Sequence, residues 1–444
     1  MLNIYPTNRS LKNKFLHYGG QHFGILESQL LTSTKGRYTP KIDVCTANMP
    51  KYEKLILNEE AEINHHLSGY GVFFEEALIR LLGESIERYA LMISNTYYRD
   101  FVVNASYNEI AKKGEVMAWE YIMMYSQEDY KKIQAVTNVR PITKDDPLNW
   151  ILCQSLFDKD RQIYIPIQLL FTGYKMAKDE ILFAPGFSKG TAAHSTIERA
   201  LNSAIMEAVE ADAFTLAWYA QAPARQVIID DEEFLQLLEK MLGLVDSEIF
   251  VLEYGLEDMP GYAVSVSLLT RNGKRPSVIM GCQADLNPKK AIYKAFLEAL
   301  AIYYLATNGP LLLPDLYLAH VKGNLYNNLD SNVAYWAKTD DWEKKKKFIK
   351  EMPKEKVLLS SLENMEKETT KEEIAQSLSM IRKVSDQAVY LDITPIEVKG
   401  EGWHVIRTFF PELVQMSLPS YPYSNHPRMK KHGGVTNELP HPIP

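Results

Sequence analysis

The sequence predicts an α+β fold in which one unit, made of sheet, a glycine-containing loop and a long helix, occurs three times between about residues 60 and 310. Three helical segments place a glutamate seven residues after an alanine: Ala77 to Glu84, Ala200 to Glu207 and Ala291 to Glu298. Strand-like runs precede two of the loops, EILFAPG at 180–186 and RPSVIMG at 275–281. The repeated interval indicates that the three helices occupy equivalent positions.

The first helix is predicted from FFEEALIRLLGESIERYALM at 73–92, and the second lies in SKGTAAHSTIERALNSAIMEAVEADAF at 188–214. Asn287 is a predicted N-cap for the third helix, with Pro288 at its first position. Glycines precede each helix, namely Gly69 and Gly71, then Gly186 and Gly190, then Gly281.

Three further regions complete the expected organisation. GYAVSVSLLTRNGKRPSVIMG at 261–281 predicts a hairpin with a type I′ turn at Asn272-Gly273. The charged segment 338–380 reads as a solvated helical insertion, and the alternating pattern at 386–413 predicts paired strands. We therefore expect an N-terminal segment at 1–60, one catalytic domain at 60–415, and a tail at 416–444 that is disordered or extended in a polyproline II manner.

Composition and charge exclude several classes of protein. The 444 residues are 46% hydrophobic and 24% charged, as in ordinary soluble enzymes. A formal charge of −7 argues against a nucleic-acid binder, since neutralising phosphates needs a basic face. No signal peptide or membrane span is evident, so a cytoplasmic protein is expected. The isolated Cys45, Cys153 and Cys282 indicate small buried hydrophobic side chains and neither a disulfide framework nor a zinc site.

Glu84, Glu87 and Arg88 lie on one side of the first helix and continue its apolar stripe. They have two interpretations: an i, i+4 ion pair at the rim of the core, or one part of a shared acidic site. In the second case the glutamates of all three helices converge, and so many carboxylates in a low dielectric require cations or raised pKa values. Such oxygen ligands suit Mg²⁺ bound with nucleotide phosphates, and Arg88 and Lys294 would supply positive charge. The predicted acidic set is Glu84, Glu87, Glu207, Glu210 and Glu298.

Other catalytic motifs have little support. GFSKGT at 186–191 lacks the spacing of a phosphate-binding P-loop, and neither HExxH nor GxSxG occurs. His65, His66 and His194 are expected in loops, where lone histidines more often make structural hydrogen bonds than act as catalysts.

The stretches GYG…ALIRLLGESIERY, SKGTAAHSTIERALNSAIMEAVEAD, KKAIYKAFLEAL and the terminal PHPIP together resemble the YcaO superfamily. The chain is most similar to its azoline-forming cyclodehydratases, the D proteins of thiazole- and oxazole-modified peptide biosynthesis. MLNIYP, HHLSGYG and the GFSKGTAAH block resemble those of streptolysin S-type clusters.

The resemblance implies an ATP site in which helix-borne glutamates hold Mg²⁺. It assigns Glu84, Glu87, Glu207, Glu210 and Glu298 to the metal, and it places Arg88, Ser195 and Lys294, with Glu84 and Glu207, at the nucleotide. It also implies that Pro440, Pro442 and Pro444 order the peptide-reacting side. The implied reaction is ATP-dependent cyclodehydration of Cys, Ser or Thr residues in a ribosomal precursor peptide.

Several positions depart from the family pattern: Tyr70 for lysine, Arg80 for serine, Ser195 for asparagine, Arg199 for glutamate, Ala211 for arginine and Ala301 for glutamine. Arg199 and Ala211 put the ligand count in doubt, which leaves a catalytically weakened scaffold of a peptide-modifying complex as an alternative. A thioamide- or amidine-forming YcaO enzyme is a second alternative, and the PHPIP ending favours azoline formation. The implied partners are the precursor peptide, a separate E1-like leader-binding protein, a flavin-dependent dehydrogenase and a second copy of the chain. The sequence identifies neither the peptide nor the number of rings.

Overall fold

The computed structural model describes residues 6–20, 24–27, 31–32, 35–52, 54, 66–312, 314, 321–322 and 325–444. Residues 1–5 and His65, on which part of the resemblance rests, lie outside this set. The described chain forms an α+β fold, as the sequence predicts. None of its described helices is both long enough and apolar enough to span a membrane.

Sixteen strands form four sheets in the described ranges. A three-stranded sheet has the order β1-β2-β3, and a five-stranded sheet has the order β11-β10-β9-β8-β14. A six-stranded sheet has the order β4-β5-β15-β16-β7, with β6 paired to β5, and a two-stranded sheet consists of β12 and β13. The bounds are β1 Leu31–Thr32, β2 Asp43–Asn48, β3 His66–Gly71, β4 Val103–Ser106, β5 Pro147–Ser155, β6 Gln162–Pro166, β7 Thr191–His194, β8 Ala224–Ile228, β9 Ser247–Glu253, β10 Tyr262–Thr270, β11 Val278–Asp285, β12 Val321–Lys322, β13 Leu325–Tyr326, β14 Pro353–Leu358, β15 Val389–Asp392 and β16 His404–Phe409.

The helices range from single turns to segments of six or seven turns. Their bounds are α1 Pro6–Tyr18, α2 Phe74–Tyr97, α3 Tyr107–Ile110, α4 Trp119–Ile122, α5 Gln127–Ile133, α6 Ile197–Tyr219, α7 Glu232–Leu242, α8 Pro288–Leu312, α9 Leu329–Ala337, α10 Trp342–Glu351, α11 Thr370–Ile381, α12 Ile396–Lys399 and α13 Pro427–Lys431.

The three long helices each pack on a different sheet. α2 packs on β3, α6 on β7 and β16, and α8 on β10 and β11. α6 also contacts β11, so it lies where the six-stranded and five-stranded sheets meet. The repeated unit is therefore real, and a strand of each sheet leads into its helix.

In two units the strand extends through the glycines that the sequence analysis placed in a loop. Gly69 and Gly71 lie within β3 and Gly281 within β11, so the expected glycine loops are partly strand. RPSVIMG does contribute to β11, but EILFAPG at 180–186 forms no strand. There the side chain of Gln168 bonds the backbone, donating to Ile181 O at 2.9 Å and accepting from Phe183 N at 3.2 Å, which takes the place of a neighbouring strand.

Glycine lets strand and helix approach closely in two of the units. A Cβ on Gly69 would lie 2.0 Å from the carbonyl oxygen of Ala77, and one on Gly281 would lie 2.3 Å from that of Ala295. These distances are far below van der Waals contact, so any larger residue would push the helix away from its strand. The buried Ala77 belongs to the alanine interval that identified the repeat.

The hairpin of β10 and β11 is confirmed, but the predicted type I′ turn at Asn272-Gly273 is wrong. The strands end at Thr270 and resume at Val278, and of the central pair only Gly273 has a positive φ, at 72°. A type I′ turn requires positive φ at both residues. Asn272 instead uses its side chain, which accepts from Lys274 N at 3.0 Å and donates to Asp246 at 2.6 Å.

The charged segment 338–380 contains the expected helices, α10 and nearly all of α11, but it also adds a strand to a sheet. Between α10 and α11 it forms β14, which pairs in parallel with β8 at the edge of the five-stranded sheet. The buried Lys345 donates to the carbonyls of Tyr335 at 2.6 Å and Lys338 at 3.1 Å, at the C-terminal end of α9. The paired strands expected at 386–413 are confirmed as β15 and β16.

The expected disorder of the tail is wrong, because residues 416–444 pack into the protein. Tyr421, Tyr423 and Met429 are at most 1% exposed. Arg428 is buried too, and it bonds Asp212 of α6 at 2.9 Å and Asp258 at 2.9 Å. Composition could not indicate this, since the segment is held by a few aromatic and charged anchors and has no periodic apolar pattern. The three cysteines are buried and free, as predicted.

We expect Gly69→Ala to lower the free energy of unfolding by about 1–3 kcal/mol, because the new methyl group overlaps the backbone of α2. The matched control is Gly83→Ala on α2, where an added Cβ meets nothing within 4 Å. Alanine at a helical position is favoured over glycine by about 1 kcal/mol, so this control should be stabilised. Urea denaturation measures both changes, and equal stabilities for the two variants would contradict the close approach.

Candidate functional site

The three long helices make the same contact with the chain that precedes them. Glu84 of α2 accepts the backbone N–H of Ser68 at 2.7 Å, Glu207 of α6 accepts that of Gly190 at 3.1 Å, and Glu298 of α8 accepts that of Cys282 at 2.8 Å. The shared alanine-to-glutamate interval therefore corresponds to a repeated structural contact. Each carboxylate is fixed where its strand meets its helix.

Small residues lie where the contact recurs. Ala77, Ala200 and Ala291 are all 0% exposed and lie two turns before their glutamates. On α2 the carbonyl of Ala77 faces Gly69 of β3, whereas on α8 the carbonyl that faces Gly281 of β11 belongs to Ala295, one turn after Ala291. Packing thus determines where the three carboxylates lie.

α2 contributes a second carboxylate and a cation. Arg88 donates to Glu87 at 2.9 Å and to Glu84 at 3.4 Å. Burial raises the pKa of Glu87 well above its usual value; Arg88 opposes this effect, and Glu207 and Glu84 add to it. The ion pair expected at a core rim therefore exists, and it also faces the glutamate of another helix.

Lys189, just before β7, lies among the glutamates of α6 and α8. Its ammonium group is 2.6 Å from Glu210, whose side chain is 2% exposed. Burial lowers the pKa of Lys189, but Glu210, Glu207 and Glu298 outweigh it, so the pKa lies well above its usual value. These electrostatic effects bring the glutamates of α6 and α8 into one network.

Burial also raises the pKa of the carboxyl groups around Lys189. It brings Glu210 to about 8 and raises Glu207 and Glu298 above their usual values, although Lys189 acts in the opposite direction on each. The carboxylates thus outnumber the cations that neutralise them. A region with this excess of buried acidic groups is stabilised by a bound cation.

The donor chemistry of the network fits Mg²⁺, a cation that prefers carboxylate oxygens. In the described ranges, no three Asp, Glu, His or Cys side chains are already arranged to hold a metal ion. Lys189 and Arg88 pair with the carboxylates instead. The residues that could serve as metal ligands are those of the acidic network: Glu84, Glu87, Glu207, Glu210 and Glu298.

Two other predicted residues make different contacts. Lys294 of α8 pairs with Asp285 at the end of β11, and its side chain is 43% exposed. Ser195 is exposed just before α6, with its hydroxyl 3.1 Å from Nδ1 of His194. Burial, together with Arg199, lowers the pKa of His194. Ala211, where an arginine was expected, is completely buried on α6.

Sequence reasoning missed Lys189 and Arg407. Arg407 on β16 is 2% exposed and donates to Ser188 O at 3.0 Å, Thr191 Oγ1 at 3.1 Å and the carbonyl of Lys189. It therefore fixes the loop that carries Lys189 from a strand more than 200 residues away. The signal for Lys189 was GFSKGT itself, which fails as a P-loop but does place a lysine beside the second acidic helix.

The chain ends against α6 and α9. Trp336 donates its indole N–H to Pro440 O at 2.8 Å, and Trp218 donates to Leu439 O at 2.9 Å. Asn332 donates its amide to the carbonyls of His441 and Ile443, the latter at 2.9 Å. These three side chains donate hydrogen bonds to backbone carbonyls of the tail and so fix its course.

The predicted proline residues therefore lie inside the protein near the acidic network. Pro440 and Pro442 are buried and Pro444 is partly exposed. Phe214 lies one turn beyond Glu210 on α6, and its ring contacts that of His441 with centroids 5.9 Å apart. The terminal PHPIP thus packs on the same helix that carries Glu207 and Glu210.

The family model of the YcaO cyclodehydratases, described as binding ATP and Mg²⁺, matches residues 68–414. No curated protein matches the chain significantly. A heterocyclase solved in complex with substrate and cofactor has a TM-score of 0.74 and 18% identity; the match covers 98% of this chain and 57% of that one, so this chain spans little more than half of that heterocyclase.

The matches to two other solved structures cover nearly the whole length of both chains. YcaO from Methanopyrus kandleri, bound with AMPPCP and Mg²⁺, has a TM-score of 0.63 and 14% identity over 98% of this chain and 96% of that one. A chain of the E. coli microcin synthetase McbBCD complex with pro-MccB17 bound has a TM-score of 0.59 and 15% identity over 94% and 96%. At these identities the likeness concerns the fold.

We expect acid to destabilise the C-terminal segment. Burial lowers the pKa of His426 and His441 to about 4, against about 6.5 in an unfolded chain, so both are neutral when folded. Between these values the two histidines bind more protons in the unfolded chain, so their own contribution to stability falls as pH falls, by about 1.4 kcal/mol per pH unit for each, opposite in sign to the contribution of the buried carboxyl groups with raised pKa. Urea unfolding at pH 7, 6 and 5 measures this slope.

His441→Gln should remove the contribution of one histidine, so the stability of the variant relative to the wild type should rise by about 1.4 kcal/mol for each pH unit that the pH falls between 6.5 and 4. The control is His17→Gln, a matched substitution at an exposed position of α1. A slope that His441→Gln leaves unchanged would contradict a neutral, buried His441.

Proposed function

Because the chain belongs to the YcaO family of ATP- and Mg²⁺-binding cyclodehydratases, we propose that it converts Cys, Ser or Thr residues of a ribosomal precursor peptide to thiazolines or oxazolines. The observation that carries this proposal is the electrostatic interaction of Lys189 with glutamates of all three long helices, namely Glu207 and Glu210 of α6, Glu298 of α8 and Glu87 of α2. The sequence resemblance favours a streptolysin S-type cluster as the source of that peptide.

Glu84, Glu87, Glu207, Glu210 and Glu298 would hold Mg²⁺ at the nucleotide phosphates. Bound there, Mg²⁺ neutralises charge on the transferring phosphoryl group. Arg88 is fixed by Glu84 and Glu87, so its guanidinium can face phosphate oxygens without reorganising. Ser195, exposed just before α6, and the partly exposed Lys294 remain candidates for the outer part of the nucleotide.

In the proposed reaction the peptide and ATP react with each other, so the protein must position these two reactants and need not supply a nucleophile. The side-chain sulfur or oxygen of the peptide adds to the preceding amide carbonyl, and its proton is lost. The carbonyl oxygen then takes the γ-phosphoryl group of ATP and leaves as phosphate, while loss of the amide proton forms the C=N bond. Phosphorylation is useful because hydroxide is a poor leaving group from such an adduct, and holding both reactants in place lowers the entropic barrier.

The buried PHPIP end supports azoline formation over thioamide or amidine formation. Its backbone is fixed by Asn332, Trp336 and Trp218, and it borders α6 near Glu210. A rigid segment there can shape the side of the site where the peptide reacts. Proline restricts φ, so this segment loses little conformational entropy on ordering.

We further propose that the peptide is delivered by a separate E1-like leader-binding protein, that a flavin-dependent dehydrogenase oxidises the azolines, and that the enzyme is a homodimer. The McbBCD neighbour was solved as a multi-protein complex with pro-MccB17, which is the kind of assembly expected.

We expect Glu87→Gln to abolish peptide-dependent ATP consumption while the protein stays folded. The change removes a charge but almost no volume, and burial already disfavours that charge, so unfolding should need at least as much urea as in the wild type. Phosphate release and the mass of the precursor peptide, which loses one water per ring, are measured with the partner protein present. Glu239→Gln on the exposed face of α7 is the control and should leave both unchanged.

Wild-type protein that consumes ATP but leaves the peptide without loss of water would contradict cyclodehydration. Replacement of oxygen by sulfur in the product would favour thioamide formation. A complete complex that binds nucleotide and never consumes it would favour the scaffold.

We expect Asn332→Ala to reduce ring formation at least about tenfold while nucleotide binding stays within about threefold, because the tail loses its amide donor and Asn332 contacts none of the glutamates. Hydrogen exchange at the amides of His441 and Ile443 should speed up in the same variant. Asn202→Ala, on the side of α6 that faces α11, is the control. Faster exchange with normal ring formation would show that tail order does not matter to the reaction.

A further inference from the structure

The acidic network has a cation on the side of α6 and α8 that the sequence analysis did not single out. Arg88 donates hydrogen bonds to the two glutamates of its own helix, α2, and reaches Glu207 of α6 only through its charge. Lys294 lies one turn before Glu298, but it pairs with Asp285 and is 43% exposed. Lys189 is the lysine that contacts Glu210 and acts on Glu207 and Glu298.

We infer that Lys189 is a resident cation of the nucleotide site, which holds Glu210 when the site is empty and pairs with a phosphate oxygen when nucleotide and Mg²⁺ are bound. The inference rests on the proposed function, since it assigns a residue to the same site. Lys189 takes over the role that the sequence assigned to Lys294. It is a binding residue and not only an ion-pair partner.

The backbone determines where the ammonium group lies. Gly190 has a φ of +88° and donates its N–H to Glu207 at 3.1 Å, and its carbonyl accepts from Thr408 N at 2.7 Å. Arg407 holds the carbonyls of Ser188 and Lys189 from the other side. The loop is thus fixed on two sides, which keeps the long lysine side chain directed at the carboxylates.

Charge balance gives Lys189 a measurable effect on Mg²⁺. Five carboxylates face three cations, Arg88, Lys189 and Arg407, which leaves a formal charge of −2. Without Lys189 the formal charge becomes −3. Since nucleotide phosphates add further negative charge, the site must then recruit more of its positive charge from solution.

The test is binding of AMPPCP to the full chain at a series of Mg²⁺ concentrations, followed by calorimetry. Lys189→Met should weaken binding at least about tenfold and make it depend more steeply on Mg²⁺, because a buried charge pair with the carboxylates and phosphates is lost. Lys189→Arg keeps the charge and should stay within about threefold of the wild type. The matched control is Lys290→Met on α8, which removes a surface ion pair with Glu366. This variant should bind AMPPCP with the same affinity and the same Mg²⁺ dependence as the wild type.

Lys294→Met is the competing variant. A larger loss of affinity in Lys294→Met than in Lys189→Met would overturn the inference in favour of the residue that the sequence suggested. So would a Lys189→Met protein with lower thermal stability but unchanged affinity and unchanged Mg²⁺ dependence, because Lys189 would then serve only the fold.

Two further measurements separate this inference from the proposed function. Wild-type protein that shows no Mg²⁺-dependent AMPPCP binding would contradict the nucleotide site itself. If Lys189→Met does not fold, Lys189→Gln keeps a donor to Glu210 without the charge, and the same shift in Mg²⁺ dependence is expected. Unchanged binding in a folded Lys189→Gln would overturn the inference.

Discussion

The structure depends on how closely three helices approach the strands before them. Gly69 and Gly281 leave no room for a Cβ, and the buried alanines Ala77 and Ala291 lie on the facing helices. This contact distance lets a glutamate two turns later reach a strand amide, as Glu84 and Glu298 do. A one-methylene change in such a contact is felt directly, because protein interiors are close-packed. The positions of the acidic groups therefore follow from the packing of small residues.

α6 connects the acidic network to the end of the chain. Its central turns carry Glu207 and Glu210, and the next residue but one, Asp212, binds Arg428 of α13. Phe214, one turn after Glu210, contacts His441. Since nearly every residue of this part of α6 is buried, a shift of the helix would move the carboxylates and the C-terminal segment together. The order of the tail and the geometry of the acidic network thus depend on the same rigid element.

The sequence was informative where function follows a short local period, and less so where it depends on distant contacts. The fold class, the three long helices and the glutamates at Glu84, Glu207 and Glu298 all follow from helical spacing. Lys189 could not be found in this way, since Arg407 fixes its loop from β16. The tail was misjudged because its order comes from anchors such as Arg428, whose partners lie far away in sequence. Local patterns record which face of an element is buried, but not which distant side chain meets it.

Buried carboxylates with raised pKa values are a source of instability as long as no cation binds them. In this protein they are held by backbone amides and by three cations, Arg88, Lys189 and Arg407, so the network cannot relax by turning its side chains into solvent. The free energy that could stabilise the fold is instead available for binding positive charge. Under the proposed function, an Mg²⁺-nucleotide complex would bring that charge together with phosphates, which Arg88 and Lys189 would neutralise. A strained acidic cluster of this kind favours the bound state because it destabilises the empty one, and the same constraint that brings the helices close to their strands maintains that strain.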